Sequence, residues 1–444
     1  MKHGSLIRYL DLFAGCGGLT EGFESTRDYL AVAHVDWDKS CVATLRHRLK
    51  SVWKCVDADR RTIQADIQQH GALFEGSSHN GLDRLVAQSR GVDVVVGGPP
   101  CQAYSIAGRI RDDHGMRYDY RNYLFESYVA VVNRFRPSFC ILENVPGMLS
   151  AAPGGVPIVE RIRIAFNKAG YIIPGDLRSC VIDMSEFGLP QIRRRVIILA
   201  VRATFGASRT QRIIAEFYEL ITKMKTGLAR ATVRDAIGHL PPTTPVRASA
   251  SSQGQHLIQQ RKVSDHVERF HSDRDRKIFR LLAKDIQRSR PQLQNPEKLK
   301  AIYTEYTGRT SNVHKYHVLR PDAPSNLIPA HLHKDGLRHI HFDPQQARSI
   351  TVREAACLQG FPMDFEFIGS QGDKYKMIGN AVPPLFASVI ARALSHVIEM
   401  NFQTRSSNRN ANSKRELRNS TAEKKLRSNR RKSTLIGSVQ DEAT

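Results

Sequence analysis

The sequence predicts an α/β protein built from repeated βαβ units around a mostly parallel sheet, with a separate smaller domain breaking their order. Three observations carry this. From Leu6 to about Val201, short β-rich apolar runs alternate with segments of helical period. A glycine-rich loop follows directly on the first of those runs. From His239 to Phe342 the rhythm gives way to a stretch rich in His, Arg, Gln and Pro, with no clear alternation.

The strand candidates in order are Leu6 to Phe13, Leu30 to Asp36, Val92 to Val96, Phe139 to Glu143 and Arg195 to Val201. Between them Cys41 to Leu49, Tyr123 to Phe135 and Val159 to Ala169 place apolar residues three and four apart, as crossover helices do. Order returns at Thr351 to Leu358 and at Val382 to Val397, both read as helices. From Asn401 onward Ser, Asn, Arg and Lys dominate, which predicts a disordered basic tail. The expected divisions are 1–235 for the catalytic domain, 236–350 for the small domain, 351–400 for segments packing back on the first, and 401–444 for the tail.

With 444 residues, 41% of them hydrophobic, the chain can bury a sizeable core. Its 66 Lys and Arg against 43 Asp and Glu give a net charge of +23, which points to a polyanionic partner, nucleic acid first. Residues 401–444 hold eleven Lys or Arg against four Asp or Glu, so +16 remains on residues 1–400 and the excess is not a property of the tail. The seven cysteines are scattered and never spaced as Cys-x-x-Cys, which argues against a disulfide framework or a zinc site. No metal is expected. No apolar run approaches the roughly 18 residues that span a bilayer, so neither export nor a membrane anchor is expected, and the reducing cytoplasm is the natural home.

The loop Asp11-Leu12-Phe13-Ala14-Gly15-Cys16-Gly17-Gly18-Leu19 sets glycines between a strand and a helix, where the backbone turns sharply and a ligand can come close. Thr20 stands where a dinucleotide fingerprint needs its third glycine, which disfavours a pyrophosphate. The next strand ends at Asp36-Trp37, a carboxylate for ribose hydroxyls beside an indole for adenine. The adenosine of S-adenosylmethionine satisfies both. Asp66-Ile67 and Asp11 are weaker candidates for the same ligand, and an ordinary glycine turn is the plainer alternative.

Gly97-Gly98-Pro99-Pro100-Cys101-Gln102 follows an apolar strand, so the Cys101 thiol falls at the carboxyl end of the sheet, where α/β enzymes collect reactive groups. A thiol is a nucleophile only as its thiolate, which needs positive charge nearby. Gln191-Ile192-Arg193-Arg194-Arg195 precedes a strand, and alternation sets 191, 193 and 195 on one face with Arg194 opposite. Cys41, Cys140, Cys180 and Cys357 lack any such frame and read as apolar filler.

Taken together, Asp11 to Gly18, Gly97 to Ser105, Glu143-Asn144-Val145, Gln191 to Arg195, Arg353 to Pro362 and Gly379-Asn380 resemble the ordered motifs of the DNA (cytosine-5-)-methyltransferases of bacterial restriction-modification type. The resemblance spans residues 6–397. Tyr104 stands where the family often has Phe, Asp36 where many members have Glu, and the tail has no counterpart. It implies a Rossmann-like S-adenosylmethionine-dependent methyltransferase fold with a smaller target-recognition domain, acting on double-stranded DNA.

What the resemblance implies about roles follows residue by residue. Cys101 attacks carbon 6 of a cytosine flipped out of the duplex, and Glu143 serves N3 and the exocyclic amine. Arg195 stands beside the base, and Arg193 completes the catalytic set with a more structural part. Phe13, Gly15, Gly17, Leu19, Asp36, Trp37, Asp66, Pro100 and Asn380 hold the cofactor. The loop Ile106 to Arg121, with Arg109, Arg111, Arg117 and Arg121, closes as a lid. Target reading falls in residues 240–345, and Asn144 fixes its turn. The expected setting is a monomer, with a cognate restriction endonuclease or as an orphan methylase. An RNA methyltransferase of the same architecture and a regulator that has lost catalysis are the competing readings.

Overall fold

The computed structural model describes residues 6–76, 81–100, 123–225, 227, 230–243, 263–334 and 336–401. The expectations for Cys101, for the loop Ile106 to Arg121 and for the tail beyond residue 401 lie outside the described residues. Leu6–Ala393 form one compact unit. The described part of a second unit, residues 394–401, is helical.

One sheet organises the larger unit. Its strands are β1 (Ile7–Leu12), β2 (Tyr29–Asp36), β3 (Thr62–Gln64), β4 (Val94–Gly97), β5 (Phe139–Asn144), β6 (Tyr171–Ile172), β7 (Val181–Asp183) and β8 (Arg194–Arg202). Their order is β3-β2-β1-β4-β5-β8-β6, with β7 also on β8. Strands β1 to β5 pair in parallel, while β8 runs antiparallel to β5, β6 and β7. Every residue of β4 and β5 is buried, because both faces of a parallel sheet are covered. From β1 the chain builds outward through β2 and β3, then crosses back to β4 on the other side of β1. Strand order therefore reverses between β1 and β4, and the crevice beyond their carboxyl ends is where such sheets bind ligands.

The helices are α1 (Gly18–Thr26), α2 (Lys39–Ser51), α3 (Ala58–Arg61), α4 (Leu82–Gln88), α5 (Leu124–Phe135), α6 (Ile158–Lys168), α7 (Ala207–Lys223), α8 (Val233–Ile237), α9 (Asp273–Ile286), α10 (Pro296–Thr307), α11 (Val352–Leu358), α12 (Gln371–Asn380) and α13 at residues 384–401. The five expected strands are present, with ends shifted by at most two residues. Three differences stand out. Strands β3, β6 and β7 have only two or three residues, too few for a periodicity. Helix α7 follows Ala203, where the rhythm was expected to fade. Helices α9 and α10 lie inside the stretch read as lacking order, where each is capped by a side chain, Ser272 to the Asp275 amide and Asn295 to the Lys298 amide.

One apolar cluster, including Leu10, Val95, Leu142 and Ile198, fills the sheet's flank. Another joins Ile278, Phe279, Leu282, Leu299, Tyr316 and Ile340, so the stretch around α9 and α10 has a core of its own. The expectation of no apolar run near bilayer length needs correction. The span Gln371–Asn401 contains an 18-residue window of mean hydropathy 1.5, long and apolar enough by composition to cross a membrane. Two-thirds of that window (67%) is buried in the protein, the condition of a core helix.

Helix α11 begins in a buried ionic node. The Arg348 guanidinium forms two 2.7 Å hydrogen bonds to the Glu354 carboxylate, and both side chains are 1% exposed. Glu354 also closes a capping box with Thr351, and His341 lies 3.6 Å away. Burial pushes the Glu354 carboxyl up, but the charge and hydrogen bonds of Arg348, with the two nearby imidazoles, bring it down to about 2. A carboxyl depressed from 4.5 contributes stability that is complete above its unfolded pKa and lost as pH falls through the folded one. At 1.36 kcal/mol per pH unit this is about 3 kcal/mol. Glu354→Gln should therefore lower urea-unfolding stability by about 3 kcal/mol from pH 8 to pH 5, with the difference narrowing below about pH 4.5. A difference unchanged at pH 3.5 would contradict this.

Candidate active site

The glycine loop after β1 takes its shape from left-handed backbone. Phe13 has φ 57°, Gly15 φ 57° and Gly17 φ 97°. At Gly17 a Cβ would also lie 2.6 Å from Leu45 Cδ1, so this glycine serves the turn and the packing of α2. At Gly15 a Cβ would meet nothing within 4 Å, because the loop faces open space there. The Gly15 amide donates to Asp36 Oδ2 at 2.8 Å and the Asp38 amide to Asp36 Oδ1 at 2.9 Å. Burial raises the Asp36 pKa, and these amides oppose it.

Asp11 departs from the ligand role weighed for it. Its side chain is fully buried, and Oδ2 accepts from the Thr20 hydroxyl at 2.7 Å, with His34 Nδ1 3.0 Å from the same hydroxyl. Burial pushes the Asp11 carboxyl up to about 7, against the Thr20 hydrogen bond. It props the loop from beneath and does not face the crevice.

The crevice between β1 and β4 is a cavity of about 530 Å³. Of the nine residues expected to hold a cofactor, Phe13, Gly15, Leu19, Asp36, Trp37, Asp66, Pro100 and Asn380 line it, and Gly17 does not. Trp37 stays 67% exposed, leaving an indole face at the rim. An aromatic pair, two carboxylates and an open glycine backbone suit a nucleoside bearing a charged side arm, in a cavity of small-ligand size. Helix α1 starts at this wall with no side-chain cap, so its first amides remain available to a carboxylate.

Other lining residues carried no signal in the sequence. Gly18 lies in the wall, where a Cβ would come 2.2 Å from the Val382 carbonyl oxygen. Lys376 brings a cation on α12. Cys41, expected as filler, is half-buried in the wall, whereas Cys140 and Cys180 are buried as expected. Cys357 is half-buried, with its thiol 3.4 Å from Met363 Sδ.

Glu143, near the end of β5, opens into this same cavity. Arg195 Nε lies 2.9 Å from Glu143 Oε1, and both residues are 9% exposed. A Cβ on Gly98 would sit 2.9 Å from Glu143 Oε2, so the glycine lets the loop after β4 pass against the carboxylate. Asn144 holds that approach from the side: Nδ2 donates to the Pro99 carbonyl at 3.4 Å and Oδ1 accepts from the Val145 amide at 2.8 Å.

The alternation expected ahead of β8 holds, with Gln191, Arg193 and Arg195 buried and Arg194 exposed. The guanidinium groups of 193 and 195 nevertheless diverge. Arg193 does not line the cavity; its Nη2 donates to the carbonyls of Gly379 at 3.2 Å and Ala381 at 2.9 Å. Gln359 Nε2 donates to the same Ala381 oxygen at 2.7 Å, and Gln191 Nε2 to Gln359 Oε1 at 2.7 Å. Arg193 thus clamps the turn that presents Asn380.

Comparison with known proteins follows from this geometry. The family model described as C-5 cytosine-specific DNA methylase matches residues 7–396. The chain is similar to the type II methyltransferase M.Bpa9945I of Bacillus paralicheniformis, 31% identical over 453 residues, covering 88% of this chain and 98% of the relative. It is 29% identical to the type II methyltransferase M1.HphI of Haemophilus parahaemolyticus, covering 89% of this chain and 87% of the relative. Among solved structures, a prophage-encoded DNA modification methyltransferase of E. coli superposes with TM-score 0.58 at 21% identity, over 88% of this chain and 99% of that one. The last of these bears on fold alone, and agrees with the Rossmann-like sheet.

Proposed function

The chain belongs to the C-5 cytosine-specific DNA methylase family, and on that premise we propose that it methylates carbon 5 of a target cytosine in double-stranded DNA through a covalent cysteine adduct. The observation that carries this reading is that one cavity contains the expected cofactor residues together with the Glu143 carboxylate. The cofactor that suits the cavity is S-adenosylmethionine, which supplies an electrophilic methyl group when bound.

The chain's own groups do the rest. The target base leaves the duplex and enters the crevice, since no side chain reaches carbon 6 of a stacked base. The Cys101 thiolate adds to carbon 6, and the displaced electron pair makes carbon 5 nucleophilic. Glu143 accepts from the exocyclic amine and holds the proton at N3 as charge builds on the ring. Arg195 fixes the Glu143 carboxylate and presents a guanidinium to the base. After methyl transfer the carbon 5 proton leaves to water and the thiolate is expelled, which restores the aromatic ring and the free enzyme. Arg193 acts through the backbone at 379–381 as a positioning residue. Residues 240–345 read the target, and the protein works as a monomer in the cytoplasm, paired with an endonuclease of the same specificity as the type II names of its relatives suggest.

Incubation with duplex DNA and methyl-labelled S-adenosylmethionine, followed by bisulfite mapping, tests the reading. Label at cytosine carbon 5 within one short motif is expected. Label on transfer RNA and none on DNA would replace this reading by the RNA one.

A further inference from the structure

A second cavity, of about 480 Å³, lies in the region around α9 and α10. Arg269, Arg274, Arg309 and Lys334 line it, and Asp275 is the one acidic residue in its described wall. Arg274 spends its charge on that residue, with Nη2 2.9 Å from Asp275 Oδ1. Arg269 is tied to the carbonyls of Leu332 and His333, while its Nε is buried without a hydrogen-bond partner among the described residues. No ion pair among the described residues engages Arg309 or Lys334, and both are exposed. At the same wall Phe270 leaves 53% of its surface uncovered.

Surplus cations beside an exposed apolar ring fit a sugar-phosphate backbone: the cations take the phosphate and the ring takes the deoxyribose face. A small metabolite anion has no need of the ring, and an acidic peptide would leave it bare. We infer that this cavity is a phosphodiester subsite for the DNA strand, with Arg309 and Lys334 holding one phosphate and Phe270 packed on the adjoining sugar. The inference rests on the DNA reading above. Arg269 also stacks on Tyr375 of α12 at 4.6 Å, and Asp373, Lys376, Met377 and Asn380 of that helix line the first cavity. A phosphate seated here is therefore one guanidinium and one helix away from the cofactor wall, which sets the strand's register against it.

The test compares the full chain with Arg309→Ala/Lys334→Ala, with Phe270→Ala, and with Lys277→Ala/Arg280→Ala, an equally charged pair exposed on α9 outside the cavity. Duplex affinity is read by fluorescence anisotropy across a salt series, and S-adenosylhomocysteine affinity by calorimetry. The cavity pair should reduce the slope of log K against log salt by roughly two, at about 0.9 per lost phosphate contact, and weaken binding at least tenfold at 0.1 M salt. Phe270→Ala should weaken binding about fivefold at an unchanged slope, with cofactor affinity and thermal midpoint constant throughout. Equal effects from the α9 pair, or an unchanged slope in the cavity pair, overturn the subsite. Wild-type protein that methylates DNA while the cavity pair behaves like wild type sinks this inference alone. Wild-type protein that neither binds nor methylates DNA sinks the reading beneath it.

Discussion

Cys101→Ser should abolish carbon 5 labelling, with turnover down by about four orders of magnitude or more, while S-adenosylhomocysteine binds with unchanged affinity. The hydroxyl and thiol are close in size, so the change acts on chemistry. A thiol with a pKa near 8.5 has an accessible anion at neutral pH, and nearby guanidinium charge enlarges that fraction. A serine hydroxyl attacks only with a dedicated general base at hydrogen-bond reach, and the proposed mechanism assigns none. Cofactor affinity should survive because the wall is made by Phe13 to Leu19, Asp36, Trp37 and the α12 end, with the nucleophile loop contributing Pro100. Single-turnover assays with excess enzyme would separate chemistry from product release. Residual turnover above about one part in a thousand would remove Cys101 from the nucleophile's role.

Glu143→Gln should lower turnover about 10²- to 10⁴-fold, the range for a positioned proton-transfer group, and leave DNA affinity nearly unchanged. The amide keeps the shape and still accepts one hydrogen bond, but it cannot hold a proton at N3. It also removes the charge that Arg195 Nε meets at 2.9 Å, leaving a guanidinium 9% exposed without its carboxylate. Some destabilisation, about 2 kcal/mol, accompanies the kinetic loss. Denaturant melts alongside rapid-quench rates distinguish the two. A kcat that holds while the melt shifts would make Glu143 a scaffold for Arg195 and nothing more.

Much of the architecture was legible because its central strands are buried on both faces. Val94–Gly97 and Phe139–Asn144 read as unbroken apolar runs, and the loops at their carboxyl ends carry the residue types the chemistry needs. The cavity wall was legible for the same reason: Phe13, Gly15, Asp36 and Trp37 stand directly after strands, so chain order fixes their position. Helices α9 and α10 escaped because polar residues on their outer faces obscured the apolar stripe, although Ser272 three residues before Asp275 and Asn295 before Pro296 are start signals a closer reading could use. The destination of the Arg193 guanidinium was not legible. Alternation fixes the face a side chain leaves from, but the carbonyls it meets at Gly379 and Ala381 lie nearly two hundred residues on. Lys376 escaped too, since its place depends on how α12 docks.

The first cavity draws its lining from Phe13 at one end of the chain and from Asn380, Ala381 and Val382 at the other. Its two halves are therefore made at opposite ends of translation. A ribosome that has delivered every strand of the sheet has still not made the segment that closes the wall and receives the Arg193 clamp. A nascent chain arrested at about residue 350 should fold its sheet and remain blind to the cofactor. Competence to modify DNA then switches on only in the closing moments of synthesis, so incomplete products compete for neither cofactor nor productive catalysis.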